Sequence, residues 1–266
     1  MAVHAHPDDE ASSTGGILAR YSAEGVHTVL VTCTNGELGD GHEATKPGED
    51  GHDEEWVIAR RRRELEASCE ILGVGSLELL GYRDSGMMGW PQNSAPGSFW
   101  TTPVSEASQR LSGLIERYRP QVVVTYDSNG FYGHPDHIQA HRVTMAALQA
   151  TPVADKVYYP AIAASDMARF REVLTRGGFD NPEDESEEDW DLSVADELIA
   201  ASIDCSRYTA QQYAALEAHN SQADSMFFLR LGLDVFSDLM SRETFIRAYD
   251  RTGALTPEDD LFAGIR

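Results

Sequence analysis

Gln121-Val-Val-Val-Thr-Tyr126, followed closely by Gly133-His-Pro-Asp-His137, is the stretch that decides the fold. The first half is a short run of apolar and β-branched side chains. Such a run reads as a strand buried on both faces, the kind found in parallel sheets. Helical spacing then continues over Pro135–Gln149. The same construction opens the chain. Met1-Ala-Val3 is β-like, His4-Ala-His-Pro-Asp-Asp-Glu10 follows, and Asp9–Glu24 has helical spacing, with Ile17, Leu18 and Tyr21 on one side and Gly25 as a stop.

Between these two units the alternation repeats. Val26–Thr34 is a continuous strand run. His42–Asp53 is polar and glycine-bearing, a loop. Glu55–Leu72 is an amphipathic helix ending at Gly73. Leu77–Leu80 is a strand, Val104–Tyr118 a helix ended by Arg119-Pro120, and Val157–Pro160 a further strand. Strand and helix alternating four or five times predict an α/β fold: a Rossmann-like, mostly parallel sheet with helices on both faces. In such sheets ligands bind beyond the carboxyl ends of the strands, and both histidine clusters fall there. Beyond residue 160 the pattern weakens. Met167–Arg176 reads as a helix, the acidic stretch 181–191 as a solvated loop, Ile203–Ser206 as a strand and Ala210–His219 as a helix. We read 1–266 as one domain, with a core sheet over 1–160 and a C-terminal elaboration over 161–266 that walls the pocket.

Composition narrows the function classes. The chain carries 44 acidic and 21 basic residues, a formal net charge of −23. Nucleic acid and anionic membrane need a basic face and are not expected as partners. Hydrophobic residues make up 41%, enough for a sizeable core, yet no apolar run is long enough to cross a bilayer. No signal peptide is recognisable, so a cytoplasmic location is expected. The three cysteines, Cys33, Cys69 and Cys205, match neither a zinc finger nor a disulfide framework, and buried free thiols are expected. A homo-oligomer is left open.

The two clusters carry the chemistry. A hydrolytic zinc centre needs three protein ligands and one open position. Two neutral imidazoles and one carboxylate leave a net positive charge that acidifies water. A second carboxylate, off the metal, must then accept the proton. Asp8 and Asp9 are adjacent candidates for those two carboxylate roles. Pro7 stiffens the turn between them and His6. Among the histidines, His137 and His141 share a helix face at i, i+4, and His134 and His137 span the helix start. His4 lies in or beside the strand and is expected to point away from His6, as a packed, hydrogen-bonded residue. A dinucleotide-binding fold would need a glycine-rich turn where His-Pro-Asp-Asp stands. A mere carbohydrate binder would not need a spare carboxylate.

Ala5-His-Pro-Asp-Asp-Glu10 together with Gly133-His-Pro-Asp-His137 resembles the zinc-dependent N-deacetylases of the N-acetylglucosaminyl-phosphatidylinositol deacetylase and LmbE-like family, over most of the first 160 residues. Arg83-Asp-Ser-Gly-Met87, Tyr132–His137 and Leu261-Phe-Ala-Gly-Ile265 are most similar to its mycothiol branch. That branch holds the N-acetylglucosaminyl-inositol deacetylase and the mycothiol S-conjugate amidase. The resemblance implies zinc ligated by His6, Asp9 and His137, although the same ligands accept ferrous iron. It implies Asp8 as general base, and His134 as oxyanion stabiliser or proton donor, oriented by Asp136. Tyr132 is implied to polarise the carbonyl. Arg61, or a neighbour in Arg60–Arg63, and Asp84 are implied to contact sugar or inositol hydroxyls, with His219 and Gln222 near the pocket. The amidase-like pattern carries a lysine soon after Asp-Asp-Glu. Ala11-Ser-Ser-Thr-Gly15 has none, so deacetylation of an N-acetylglucosamine-type small molecule is expected. A mycothiol conjugate or a glycosylated secondary metabolite is the alternative substrate.

Overall fold

The structure is a computed structural model, and it describes residues 1–177, 192–222 and 228–266. The predicted acidic loop at 181–191 lies outside the described residues. Strands β1 (Ala2–His4), β2 (Val29–Thr34), β3 (Ser76–Tyr82), β4 (Val122–Val124) and β5 (Lys156–Pro160) pair in parallel. A small parallel ribbon, β6 (Ile162–Ala163) with β7 (Ser193–Val194), stands apart. Then β8 (Ala201–Asp204) and β9 (Arg242–Asp250) return to the main sheet, β9 antiparallel to both β5 and β8. The order across the sheet is β3-β2-β1-β4-β5-β9-β8. The chain therefore moves outward from β1 through β2 to β3, then crosses back to β4. That reversal puts a topological switch point between β1 and β4, where an open α/β sheet makes its binding crevice.

Side-chain alternation explains why helices cover both faces. In β2, Val29, Val31 and Cys33 point to one side and Leu30 to the other. The first set packs with Val3 and Val123 against Leu111 and Ile115 of helix α3 (Val104–Tyr118) and Ala140, Val143 and Ala147 of helix α5 (Pro135–Ala150). Leu30 packs with Leu18 of helix α1 (Asp9–Ala23), Leu65 and Leu72 of helix α2 (Glu54–Leu72) and Leu216 of helix α7 (Thr209–Ala218). The short helix α4 (Gly130–Gly133) precedes α5, while α6 (Ala164–Gly177) and α8 (Gly232–Leu239) lie in the C-terminal part. The Asp53 side chain caps α2 by accepting from Glu55 N and Trp56 N, and Gly73, at φ 71°, ends it.

Two elements differ from expectation. The strand β2 starts at Val29 and not Val26, because Val26 N–H is taken by Tyr21 O in the turn that closes α1. The nine-residue strand β9 was not foreseen. Its Arg-Glu-Thr-Phe-Ile-Arg-Ala-Tyr-Asp sequence carries four charged residues in nine, yet Phe245 is fully buried and Glu243 nearly so. The elaboration thus extends the core sheet as well as flanking it. All three cysteines are free and buried, as expected. Among the described residues no helix is long and apolar enough to cross a membrane.

Candidate metal centre

β1 and β4 end side by side, and the residues just beyond them meet. His6 Nδ1 lies 3.3 Å from His137 Nε2 and 3.5 Å from Asp9 Oδ2. His137 Nε2 lies 3.5 Å from Asp9 Oδ1. Donors bonded to one tetrahedral zinc at about 2.0–2.1 Å stand roughly 3.3–3.4 Å apart. The two ring nitrogens have that spacing; Asp9 approaches them through different oxygens, Oδ2 toward His6 and Oδ1 toward His137, and all three residues are buried. The ring nitrogens of His6, His134 and His137 also fall within 4.8 Å of one another. The donor set, two imidazoles and a carboxylate, suits a borderline divalent ion. His4 and His141 stay outside. His4 bonds Thr14 Oγ1 and Tyr126 Oη, and His141 Nδ1 bonds Tyr126 O.

Each of the three is held from behind. Asp9 Oδ2 accepts from His6 N at 2.8 Å and from Tyr126 Oη at 2.6 Å. The Tyr126 ring stacks on His137, centroids 4.1 Å apart. Burial works to raise the Asp9 carboxyl, but His137 and His6 hold it well below the usual carboxylate range. The far nitrogen of His6, Nε2, faces Asp136 Oδ2 at 3.3 Å and Asp84 Oδ1 at 3.8 Å. A carboxylate on the far ring nitrogen is the usual way to orient a metal-binding histidine. Asp136 Oδ2 is itself fixed by Ser85 N at 2.9 Å. The Asp136 carboxylate is therefore turned to His6, and not to His134 as the resemblance implied. Asp136 reaches His134 through its own backbone N–H, which donates to His134 Nδ1 at 3.1 Å. His134 is the N-cap of α5, and that bond fixes its ring. Burial, with His6 and His137 adjacent, lowers the His134 imidazole to about 2. The ring is then neutral, and with Nδ1 accepting, its proton sits on Nε2 as a donor.

Asp8 stands beside the triangle with its carboxylate partly exposed. Its Oδ2 accepts from Arg61 Nη2 at 2.9 Å. Burial pushes its carboxyl up to about 6, against the pull of the Arg61 guanidinium and with Asp9 adding to the rise. Of the four consecutive arginines, Arg61 is the one that points in: it is buried, while Arg60 pairs with Glu64 and Arg62 with Glu66. Its guanidinium also donates to Pro7 O and Gly36 O. Gly36, at φ 68°, leaves the room for this, since a Cβ there would lie 2.4 Å from Arg61 Nη1. Tyr132 is 44% exposed, its ring centroid 5.0 Å from that of His137, beside a cavity of about 290 Å³ lined by Asp127, Asn129, Phe131, Tyr132 and Ser193 among others.

The two late residues sit deeper than expected. His219 has no exposed surface, and its Nε2 bonds Glu10 Oε1 at 2.6 Å. Gln222 is likewise buried, bridging Asp40 N and Asp40 O. Neither touches the triangle directly: His219 meets it through Glu10, and the Gln222 side chain bonds only Asp40 and Ser221 among the described residues. Sequence reasoning passed over Tyr126, Glu10, Ser68 and Ser85. Tyr126, the aromatic at the end of the deciding strand run, carried the one usable signal.

The profile of the family described as "PIG-L: GlcNAc-PI de-N-acetylase" matches residues 1–148. Curated relatives match over the whole chain. The 1D-myo-inositol 2-acetamido-2-deoxy-alpha-D-glucopyranoside deacetylase of Salinispora arenicola is 42% identical, covering 100% of this chain and 91% of the relative. That of Streptomyces griseus is 41% identical, covering 100% and 88%. The chain belongs to the PIG-L deacetylase family. Membership makes it a hydrolytic N-deacetylase, and the cluster can hold a metal ion. Solved structures share the fold. The N,N'-diacetylchitobiose deacetylase of Pyrococcus horikoshii aligns with a TM-score of 0.59 at 19% identity, covering 92% of this chain and 82% of that one. A 4-carboxy-2-hydroxymuconate hydratase from Pseudomonas putida aligns at 0.58 and 19% identity, covering 94% and 95%. Such likeness shows the architecture alone, because one fold hosts several chemistries.

Proposed function

We propose that this chain removes the acetyl group from N-acetylglucosaminyl-inositol, with zinc held by His6, Asp9 and His137. The observation that carries the reading is the 3.3–3.5 Å triangle of those three residues with a second carboxylate beside it. The names of the full-length relatives support this substrate over a mycothiol conjugate. A divalent ion bound there supplies Lewis acidity, lowering the pKa of water and polarising an amide carbonyl. Asp8 is the general base: it is adjacent to the triangle, off it, and partly open. It takes the proton from the attacking water and returns it to the departing amine. His134 Nε2–H donates to the developing oxyanion, a contact usually worth about 3 kcal/mol. The Asp136 backbone keeps that tautomer, and its carboxylate steadies His6. Tyr132, at the mouth, adds a second donor to the carbonyl. Arg61 and Asp84 flank the cluster and are the contacts for sugar or inositol hydroxyls. His219 stands behind Glu10 and Gln222 behind Asp40, both near the pocket and not at the substrate. We place the inositol next to Tyr132, whose cavity of about 290 Å³ is near the lower end of small-ligand pockets.

A substrate panel tests this. Chelator-stripped protein is reloaded with zinc or ferrous iron, and free amine is measured from N-acetylglucosaminyl-inositol, a mycothiol S-conjugate and an N-acylated antibiotic sugar. The expected result is metal-dependent release from the first, with kcat/KM at least about tenfold above the others. Preference for the conjugate would replace the deacetylase with the amidase.

A further inference from the structure

Asp8 has φ 106° and ψ −27°, a backbone conformation that non-glycine residues rarely adopt. Strain of this kind persists only where the surroundings over-determine it. Arg61 holds one side, through Pro7 O and the Asp8 carboxylate. The other side is held by Glu10, a carboxylate the proposed mechanism does not use. Asp8 N–H donates to Glu10 Oε2 at 2.9 Å. Glu10 Oε1 accepts from Ser68 Oγ at 2.5 Å and from His219 Nε2 at 2.6 Å. Glu10, Ser68 and His219 are all fully buried. Ser68 comes from α2 and His219 from the end of α7, so two helices grip this side chain. Donors face both of its oxygens. Only a carboxylate of this length offers acceptors in both directions; an amide would set its NH2 against a donor on one side or the other.

We propose that Glu10, clamped by Ser68 and His219, is a positioning residue that holds Asp8 in its strained conformation and so aims the base. The proposal rests on the reading of Asp8 as general base. Glu10→Gln keeps size and packing and breaks one side of the clamp. It is expected to lower kcat about 10- to 100-fold, the range for lost support of a site residue, with KM and zinc stoichiometry unchanged. In an Asp8→Asn background the same change should cost nothing further, because there is no base left to aim. Equal losses in both backgrounds, loss of zinc, or unchanged kcat would each overturn the proposal. The milder Ser68→Ala leaves His219 on Oε1 and serves if Glu10→Gln does not fold. Its kcat should fall by less, about 3- to 10-fold, with the same dependence on Asp8; no loss, or one independent of Asp8, counts against the clamp. The Asp8 amide proton gives a readout free of catalysis: donation to a carboxylate places it downfield, and Glu10→Gln should move it upfield. If Asp8→Asn stays fully active, the base reading fails, yet this shift still reports whether Glu10 sets the Asp8 backbone.

Discussion

Two buried clusters of charge sit on the same sheet and are built on opposite rules. On β5 and β9, Lys156 Nζ donates to Glu258 Oε1 at 2.5 Å, Tyr158 Oη to Glu258 Oε2 at 2.5 Å, and Arg247 Nη1 to Glu258 Oε1 at 3.0 Å. One carboxylate there has two cations and a hydroxyl, and the cluster closes on itself. Beyond β1 and β4, the carboxylates of Asp9, Asp84 and Asp136 crowd around His6 and His137 with Asp8 beside them, and among the described residues Arg61 is the one permanent cation bonded there. Asp136 Oδ1 has no hydrogen-bond partner among the described residues. Burying unpaired carboxylates is expensive, and a fold keeps such an excess only when something outside the chain compensates it. Charge balance thus separates a staple from a site. The first cluster ties the C-terminal segment to the sheet; the second is a cluster that can hold a metal ion.

Removing a ligand should give the largest effect. His6→Ala breaks the triangle and also frees Asp136 and Asp84 from their partner. Zinc stoichiometry should drop to near zero by elemental analysis, and turnover should fall by more than about 10⁴-fold, since both the Lewis acid and its coordinated geometry go. Full zinc retention would mean that the carboxylate excess serves some other ion or none. Next comes Asp8→Asn. It should keep zinc and lose about 10²–10⁴-fold in kcat, the usual worth of a positioned base. An active, zinc-loaded Asn variant would remove Asp8 from that role.

The staple should respond in stability and not in turnover. Glu258→Leu strands Lys156, which has no exposed surface. Breaking one partner out of a buried pair typically costs about 3–5 kcal/mol. Urea unfolding should show that loss, while kcat per zinc-loaded molecule stays at the wild-type value. A fall in kcat would show that the two clusters are coupled through the sheet and that their separation is false.

The contrast also explains what could be read from the sequence. The alternating pattern was legible because each strand run is continuous and each helix has its own stop, as at Gly25 and Gly73. The candidate site was legible because the residues that meet there cluster in two short segments at strand ends. What escaped was long-range. Tyr126 meets Asp9 across 117 residues and His219 meets Glu10 across 209, and no local spacing reports such a pair. Glu10 reads as an ordinary acidic residue in the first turn of a helix, where acids are favoured anyway. The direction of the Asp136 carboxylate depends on Ser85, supplied by a loop after β3. And β9 hides its buried face behind charges, because Glu243 and Phe245 point inward together with protein partners that only the fold supplies.

A matched pair of tyrosines gives the finest test. Tyr126 and Tyr158 each donate a hydroxyl to a buried carboxylate, at 2.6 and 2.5 Å, so Tyr→Phe removes the same chemical group from each cluster. At Tyr158 the carboxylate keeps Lys156 and Arg247, and the loss should be about 1–2 kcal/mol of stability with zinc affinity untouched. At Tyr126 the phenyl ring retains its stack on His137, so packing survives, but Asp9 Oδ2 keeps only the His6 N–H behind it. Outer-shell partners of metal ligands are typically worth 10- to 100-fold in affinity. Competition with a chromophoric chelator should therefore show zinc binding weakened by about tenfold or more in Tyr126→Phe, and unchanged in Tyr158→Phe. If both variants lose only stability, Tyr126 is one more staple and the Asp9 carboxylate needs no second partner to meet a metal.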